Sequence, residues 1–140
     1  PGDFTAVGTT QLSNYVLPTT VTGNIGSITP KVLSAALTGN ITRTYDGTTA
    51  ATLAANNYTL SGFFGNDSAS VSRTQGVYNT PNAGSGKQVT VSLVPGDFTA
   101  IGATNFSNYA LPTTATGNIG SITPTSVTIS AALTGNITRA

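Results

Sequence analysis

The sequence predicts an all-β protein assembled from elongated, sandwich-like (immunoglobulin-like) modules of about 94 residues. Three observations carry that prediction. Short runs alternate polar and apolar residues with the period of two that turns one face of a strand inward. Clusters of Gly, Pro, Asn and Asp punctuate those runs. The stretch Pro1–Pro30 returns as Pro95–Pro124 with only six of thirty aligned positions changed. The changes are Val7/Ile101, Thr9/Ala103, Gln11/Asn105, Leu12/Phe106, Val16/Ala110 and Val21/Ala115. Four of them exchange one apolar residue for another, the pattern of a buried position. A second match follows, shifted by two residues: Ser34–Arg43 is identical to Ser130–Arg139. A period this long marks a whole domain rather than one rung of a solenoid.

The phase of the repeat divides the chain into three. Residues 30–123 read as one complete module, residues 1–29 as the C-terminal part of a preceding repeat, and residues 124–140 as the first strand or strands of a following one. The two outer pieces have no counterpart of Tyr45–Val94, so they do not add up to a second module.

Within the module the clearest strand is Lys87–Leu93, which puts Val89, Val91 and Leu93 on one face and Thr90 and Ser92 on the other. Ser68–Ser72, Thr125–Ser130 and Tyr58–Phe63 also read as strands, rich in the β-branched and aromatic residues that half-buried strands favour. Thr49–Asn56, with its alanines, predicts at most one or two turns of helix. Asp46-Gly47, Gly65-Asn66-Asp67, Pro81–Gly86 and Pro95-Gly96-Asp97 read as turns. Pro112 and Pro124 belong at strand ends, because proline donates nothing to a ladder. Thr-Gly-Asn-Ile recurs at 22–25, 38–41, 116–119 and 134–137, but nothing like it occurs between Tyr45 and Val94. That gap argues against a continuous β-solenoid, which stands with a β-grasp-like module as an alternative fold behind the sandwich.

A 94-residue module is long enough for one small core, burying roughly 60–65% of its unfolded surface. The chain has four Asp, two Lys and three Arg, and no Glu, His, Cys, Met or Trp. Few charges and regularly spaced apolar residues argue for folding rather than disorder. Without cysteine there is no disulfide framework. No run approaches the ~18 apolar residues of a membrane-spanning helix. Lys31, Arg43, Arg73, Lys87 and Arg139 are scattered, which gives nucleic acid no basic patch. The missing His and Cys remove the usual nucleophile–base pairs, and no two Asp are close in sequence. The expectation is a protein that is not an enzyme and needs no cofactor.

Ile28-Thr29-Pro30-Lys31-Val32-Leu33, Thr44-Tyr45-Asp46-Gly47-Thr48-Thr49-Ala50-Ala51-Thr52, Asn108-Tyr109-Ala110-Leu111 and Ile122-Thr123-Pro124 together resemble the YDG repeat. That repeat is found in large bacterial surface adhesins of the filamentous-haemagglutinin type, often beside the related MBG repeats. Ala103–Ser107 departs from the family's usual Gly-Ala-Asp-Ala before the Asn-Tyr pair. The resemblance implies a stalk or adhesive array outside a bacterial cell, without catalysis and without a ligand site to carry over.

Candidate positions follow from residue chemistry. Asp46 is suited to accept from backbone amides in a turn, and Gly47 to supply a positive φ. A calcium site at Asp46 would need several converging oxygen donors, and Asp3, Asp67 and Asp97 are isolated in sequence. Tyr15 and Tyr109 are expected to bury their rings and leave their hydroxyls at the core's edge. Pro30 and Pro124 mark the module junctions. Asn40, Asn57, Asn66, Asn105 and Asn136 each open an Asn-x-Ser/Thr sequon.

The leading expectation is a structural module of an extracellular fibre, stalk or biofilm matrix whose partners are neighbouring repeats of the same protein, stacked end to end. A multivalent module for a host or matrix glycan or protein is the alternative. An accessory domain of an enzyme is the third reading.

Overall fold

The structure, a computed structural model, describes residues 1–128 and 130–140. It is built of strands and single turns of 3-10 helix, with no α-helix among the described residues. The strands in chain order are β1 (Lys31–Val32), β2 (Ser34–Leu37), β3 (Ile41–Thr44), β4 (Ala50–Thr52), β5 (Tyr58–Ser61) and β6 (Ser68–Val71). They continue with β7 (Gln75–Tyr78), β8 (Gly84–Ser92), β9 (Phe98–Ile101), β10 (Tyr109–Ala110) and β11 (Thr114–Thr123).

β8 follows its alternation. Val89 and Val91 are buried, as is Leu93 just past the strand, whereas Gln88 and Ser92 face solvent. Thr49–Asn56, expected to hold at most one or two turns of helix, gives strand β4 and the start of a single 3-10 turn over Ala55–Asn57. Its apolar residues explain this. Ala51 and Leu53 are both buried, two residues apart, which is the spacing of a strand. Asn57 then closes the chain reversal. Its Oδ1 accepts from the Ala54 amide at 2.9 Å, and its Nδ2 donates to the Thr38 carbonyl at 3.1 Å. Asp97 repeats the device forty residues on, accepting from the Val94 amide at 2.8 Å.

Seven strands form one mixed sheet in the order β4-β7-β8-β11-β2-β5, with β3 also on β11. β11 is its axis. One edge pairs antiparallel with β8, from Thr114↔Ser92 to Ile122↔Gly84. The other edge pairs parallel with β2 at Thr116↔Ala36 and with β3 from Gly120↔Ile41 to Thr123↔Thr44. Two small sheets complete the fold, parallel β1–β10 and antiparallel β6–β9. Val71 of β6 and Phe98 of β9 join Leu37, Leu53, Val89, Val91, Leu93, Ala115 and Ile122 in a single core. Fully burying a residue such as Val91 stabilises by roughly 1.5–3 kcal/mol. Gly117 lies on the Leu37 carbonyl so closely that a Cβ would stand 2.3 Å from that oxygen. Glycine at this position is what lets β2 reach β11.

Residues 1–29 behave differently from their near-identical copy, residues 95–123. No strand forms among them, and Ile28 is 98% exposed where its counterpart Ile122 is 2% exposed. Ser130–Arg139 likewise carries no strand, and Leu133 is fully exposed where the corresponding Leu37 is buried. The strand expected over Thr125–Ser130 is absent at residues 125–128 and 130; Ile129 lies outside the described residues. The exchanged apolar positions are not uniformly buried either. Ala115 is in the core and Phe106 half-buried, but Ile101 and Ala110 face solvent, which is sufficient to tolerate exchange there.

Candidate functional site: the Tyr45-Asp46-Gly47 turn and the strand exit

The turn after β3 is shaped by its own residues. Gly47 has φ +79°, a conformation that favours glycine. Asp46 Oδ1 accepts from the Thr48 amide at 2.9 Å and the Thr48 hydroxyl at 2.8 Å. Arg43, on the half-buried face of β3, pairs with Asp46 and donates to the Ala50 carbonyl and to Thr48 Oγ1. One guanidinium thus bridges β3 to β4, two strands that share no ladder of their own. It also covers a carbonyl on the open edge of β4, where an unpaired edge would otherwise invite another strand.

This turn grips the end of β11. The Tyr45 amide donates to the Thr123 carbonyl at 2.8 Å, and Thr125 Oγ1 donates to the Tyr45 carbonyl at 2.5 Å. Tyr45 is therefore bound on both sides of Pro124, the residue directly after the strand. The Tyr45 ring is 44% exposed and borders an open hollow of about 620 Å3 together with Asp46, Asn82, Ala83, Pro124, Thr125 and Val127. Pro30 lies elsewhere, exposed just before β1, whose Lys31 pairs with Tyr109 of β10. The structure therefore places Tyr45, Asp46, Gly47 and Pro124 together, and Pro30 beside Tyr109 at a separate place.

Tyr109 is buried, with its ring edge-to-face on Phe63 at 5.2 Å. Its hydroxyl donates to the Asp67 carboxylate and accepts from the Phe64 amide at 3.2 Å. The hydrogen bond to Asp67, and after it burial, hold the phenol above its ordinary range. Sequence reading did not find this pairing. The only local sign was Asp67 in a turn, and its partner lies 42 residues away. Tyr15, expected to be buried like Tyr109, is 65% exposed, because residues 1–29 form no strand that would hold its ring against the core.

Among the described residues no three acidic or other metal-ligating side chains cluster around a common point. Of the sequon asparagines, Asn57 is buried and hydrogen-bonded through both side-chain atoms, and Asn105 caps a 3-10 turn at the Ser107 amide. No helix among the described residues is long and apolar enough to cross a membrane.

No curated protein and no solved structure matches the chain. Residues 29–117 match the YDG domain, more than half of the chain, and the chain belongs to that family.

Proposed function

We propose that this chain is a structural repeat of an extracellular bacterial fibre or adhesin stalk, in which modules stack end to end as a rod. The observation that carries the reading is the position of the two junctions. The chain comes in at Lys31, paired with Tyr109 a few residues before β11 begins, and leaves at Thr123, where β11 ends. Ten strand residues span about 33 Å, so β11 separates the two junctions along its own axis. At the exit the Tyr45 turn holds the chain across Pro124. Proline fixes its own φ and drives the preceding Thr123 toward extended geometry, which favours a straight continuation.

The exposed apolar residues of 1–29 and 130–139 fit the same reading. In an array, segments equivalent to 31–93 and 95–123 from adjacent repeats would bury them as they bury Ile122 and Leu37 here. That Val71 and Phe98 of the small sheet β6–β9 join the core of the large one supports reading the module as sandwich-like. The work assigned is mechanical and requires no catalytic step. The test is small-angle X-ray scattering of proteins with three, four and five modules. A rod predicts a length that grows linearly with module number; growth as the square root would overturn the reading.

A further inference from the structure

The outer face of the large sheet carries a feature that stacking does not use. β4, β7 and β8 align Ala50↔Val77↔Thr90, and Thr52↔Gln75 beside them, on the side away from the core. These strands form the floor of an open trough of about 710 Å3, within the ~300–1,000 Å3 range of small-ligand sites. Its lining is mostly neutral and polar. Thr52, Thr90 and Ser92 offer hydroxyls, Gln75 an amide and Val77 a small apolar patch, and the one charged side chain is Arg73. Arg73 is half-buried, forms no ion pair among the described residues, and keeps its Nε buried with no hydrogen-bond partner. Arg43, by contrast, spends its guanidinium on Asp46, Thr48 and Ala50.

We propose that this trough is a binding site for a carboxylate-bearing glycan, of the uronic-acid class, with Arg73 as its anion-recognising group. An arginine fork pairs with a planar carboxylate through two parallel hydrogen bonds. With no ion-pair partner among the described residues, Arg73 is left to meet a carboxylate that enters the trough. The neutral hydroxyl and amide walls match a chain of sugar hydroxyls, and a shallow, open trough suits an extended polymer better than a compact metabolite. An acidic peptide would satisfy Arg73 as well, but it meets the hydroxyl walls mainly through its backbone amides, whereas a uronic-acid chain presents several hydroxyls on every ring. Repeated along a fibre, weak sites of this kind would add up through multivalency. The proposal does not depend on the rod geometry.

The test is titration calorimetry of the whole 140-residue chain with tetragalacturonate, alongside neutral maltotetraose, sodium acetate and a tetra-aspartate peptide. Tetragalacturonate is expected to bind at least tenfold more tightly than each of the other three. Amide chemical-shift changes on titration should centre on Thr52, Gln75 and Thr90. Arg73→Gln should abolish the preference. Gln75→Glu, at an exposed position and leaving Arg73 in place, should weaken binding at least fivefold by putting a negative charge into the trough that the carboxylate must enter. Lys87→Gln, whose Nζ bonds Thr80 away from the trough, should bind as the wild type does. Equal binding of maltotetraose, equal binding of acetate or of the peptide, or full binding by Arg73→Gln would each overturn the proposal.

Discussion

Gly120 lies directly against the ring of Tyr78: a Cβ built on Gly120 would stand 2.3 Å from Tyr78 Cε1 and 3.0 Å from Val89 Cγ2. Tyr78 is 2% exposed and cannot swing into solvent. Gly120→Ala should therefore overpack the core and cost about 3 kcal/mol. The duplicated chain contains its own control, because Gly26 has the same neighbours in sequence and nothing within 4 Å of a Cβ. Thermal unfolding should show a midpoint lowered by roughly 10 °C or more for Gly120→Ala and unchanged for Gly26→Ala. Equal effects would mean the two copies exchange places in the fold.

Val91 is 1% exposed near the C-terminal end of β8. Val91→Asp places an unpaired carboxylate there and should cost more than about 4 kcal/mol, enough to unfold a module of ordinary stability. Circular dichroism would read this as loss of the β signal. Thr90→Ser, on the opposite face of the same strand, should leave the melting curve within about 3 °C of wild type.

Asp46 closes its turn through the Thr48 amide and hydroxyl. Asp46→Ala should lower stability by about 1 kcal/mol, the net value of a lost hydrogen bond at a site that water can reach. Arg43→Ala removes the bridge from β3 to β4 as well, and it should speed amide hydrogen exchange along β4 more than Asp46→Ala does.

The tyrosines set an alkaline limit. Burial first raises the Tyr58 and Tyr78 phenols, and the hydrogen bond to Asp67 first raises that of Tyr109. A raised folded value means that the unfolded chain releases these protons first. The stabilisation is then fully present below the ordinary tyrosine value near ~10 and is lost as pH rises through the folded values. Urea midpoints should be insensitive to tyrosine ionisation up to about pH 9.5 and fall steeply above about pH 10. Tyr109→Phe should show a lower midpoint at neutral pH and a shallower alkaline decline. An unchanged alkaline slope would remove Tyr109 from that role.

The two copies of one segment separate local from long-range causes. The turn at Pro1–Phe4 forms as its copy does at Pro95–Phe98, each closed by an amide of the phenylalanine on the proline carbonyl. Leu12–Asn14 is a 3-10 turn like Phe106–Asn108, and Gly8 and Gly102 have φ +68° and +65°. Thr10 and Thr104 both donate their hydroxyls three residues back, to Val7 and Ile101. These features need only neighbours in sequence, and of them Pro95-Gly96-Asp97 was legible as a turn. Alternation likewise exposed β8, β6 and β5, because one face of each meets the core and the other does not.

The central strand was not legible. Thr114–Thr123 carries two glycines and no clean alternation, since it is bonded on both edges and its glycines mark close approaches to Leu37 and Tyr78. The same residues at 20–29 form no strand. A strand exists only where another strand presents an edge, and β8, β2 and β3 offer one slot, occupied by residues 114–123. The pairing of Tyr109 with Asp67, the seam closed by Arg43 and the trough beneath Arg73 depend on that slot being filled. The amino-acid order thus carried the turn at Pro95, the alternation of β8 and the resemblance to the family. Which of two nearly identical segments became the axis of the sheet was settled by competition for a single set of backbone partners, a long-range effect with no local signature.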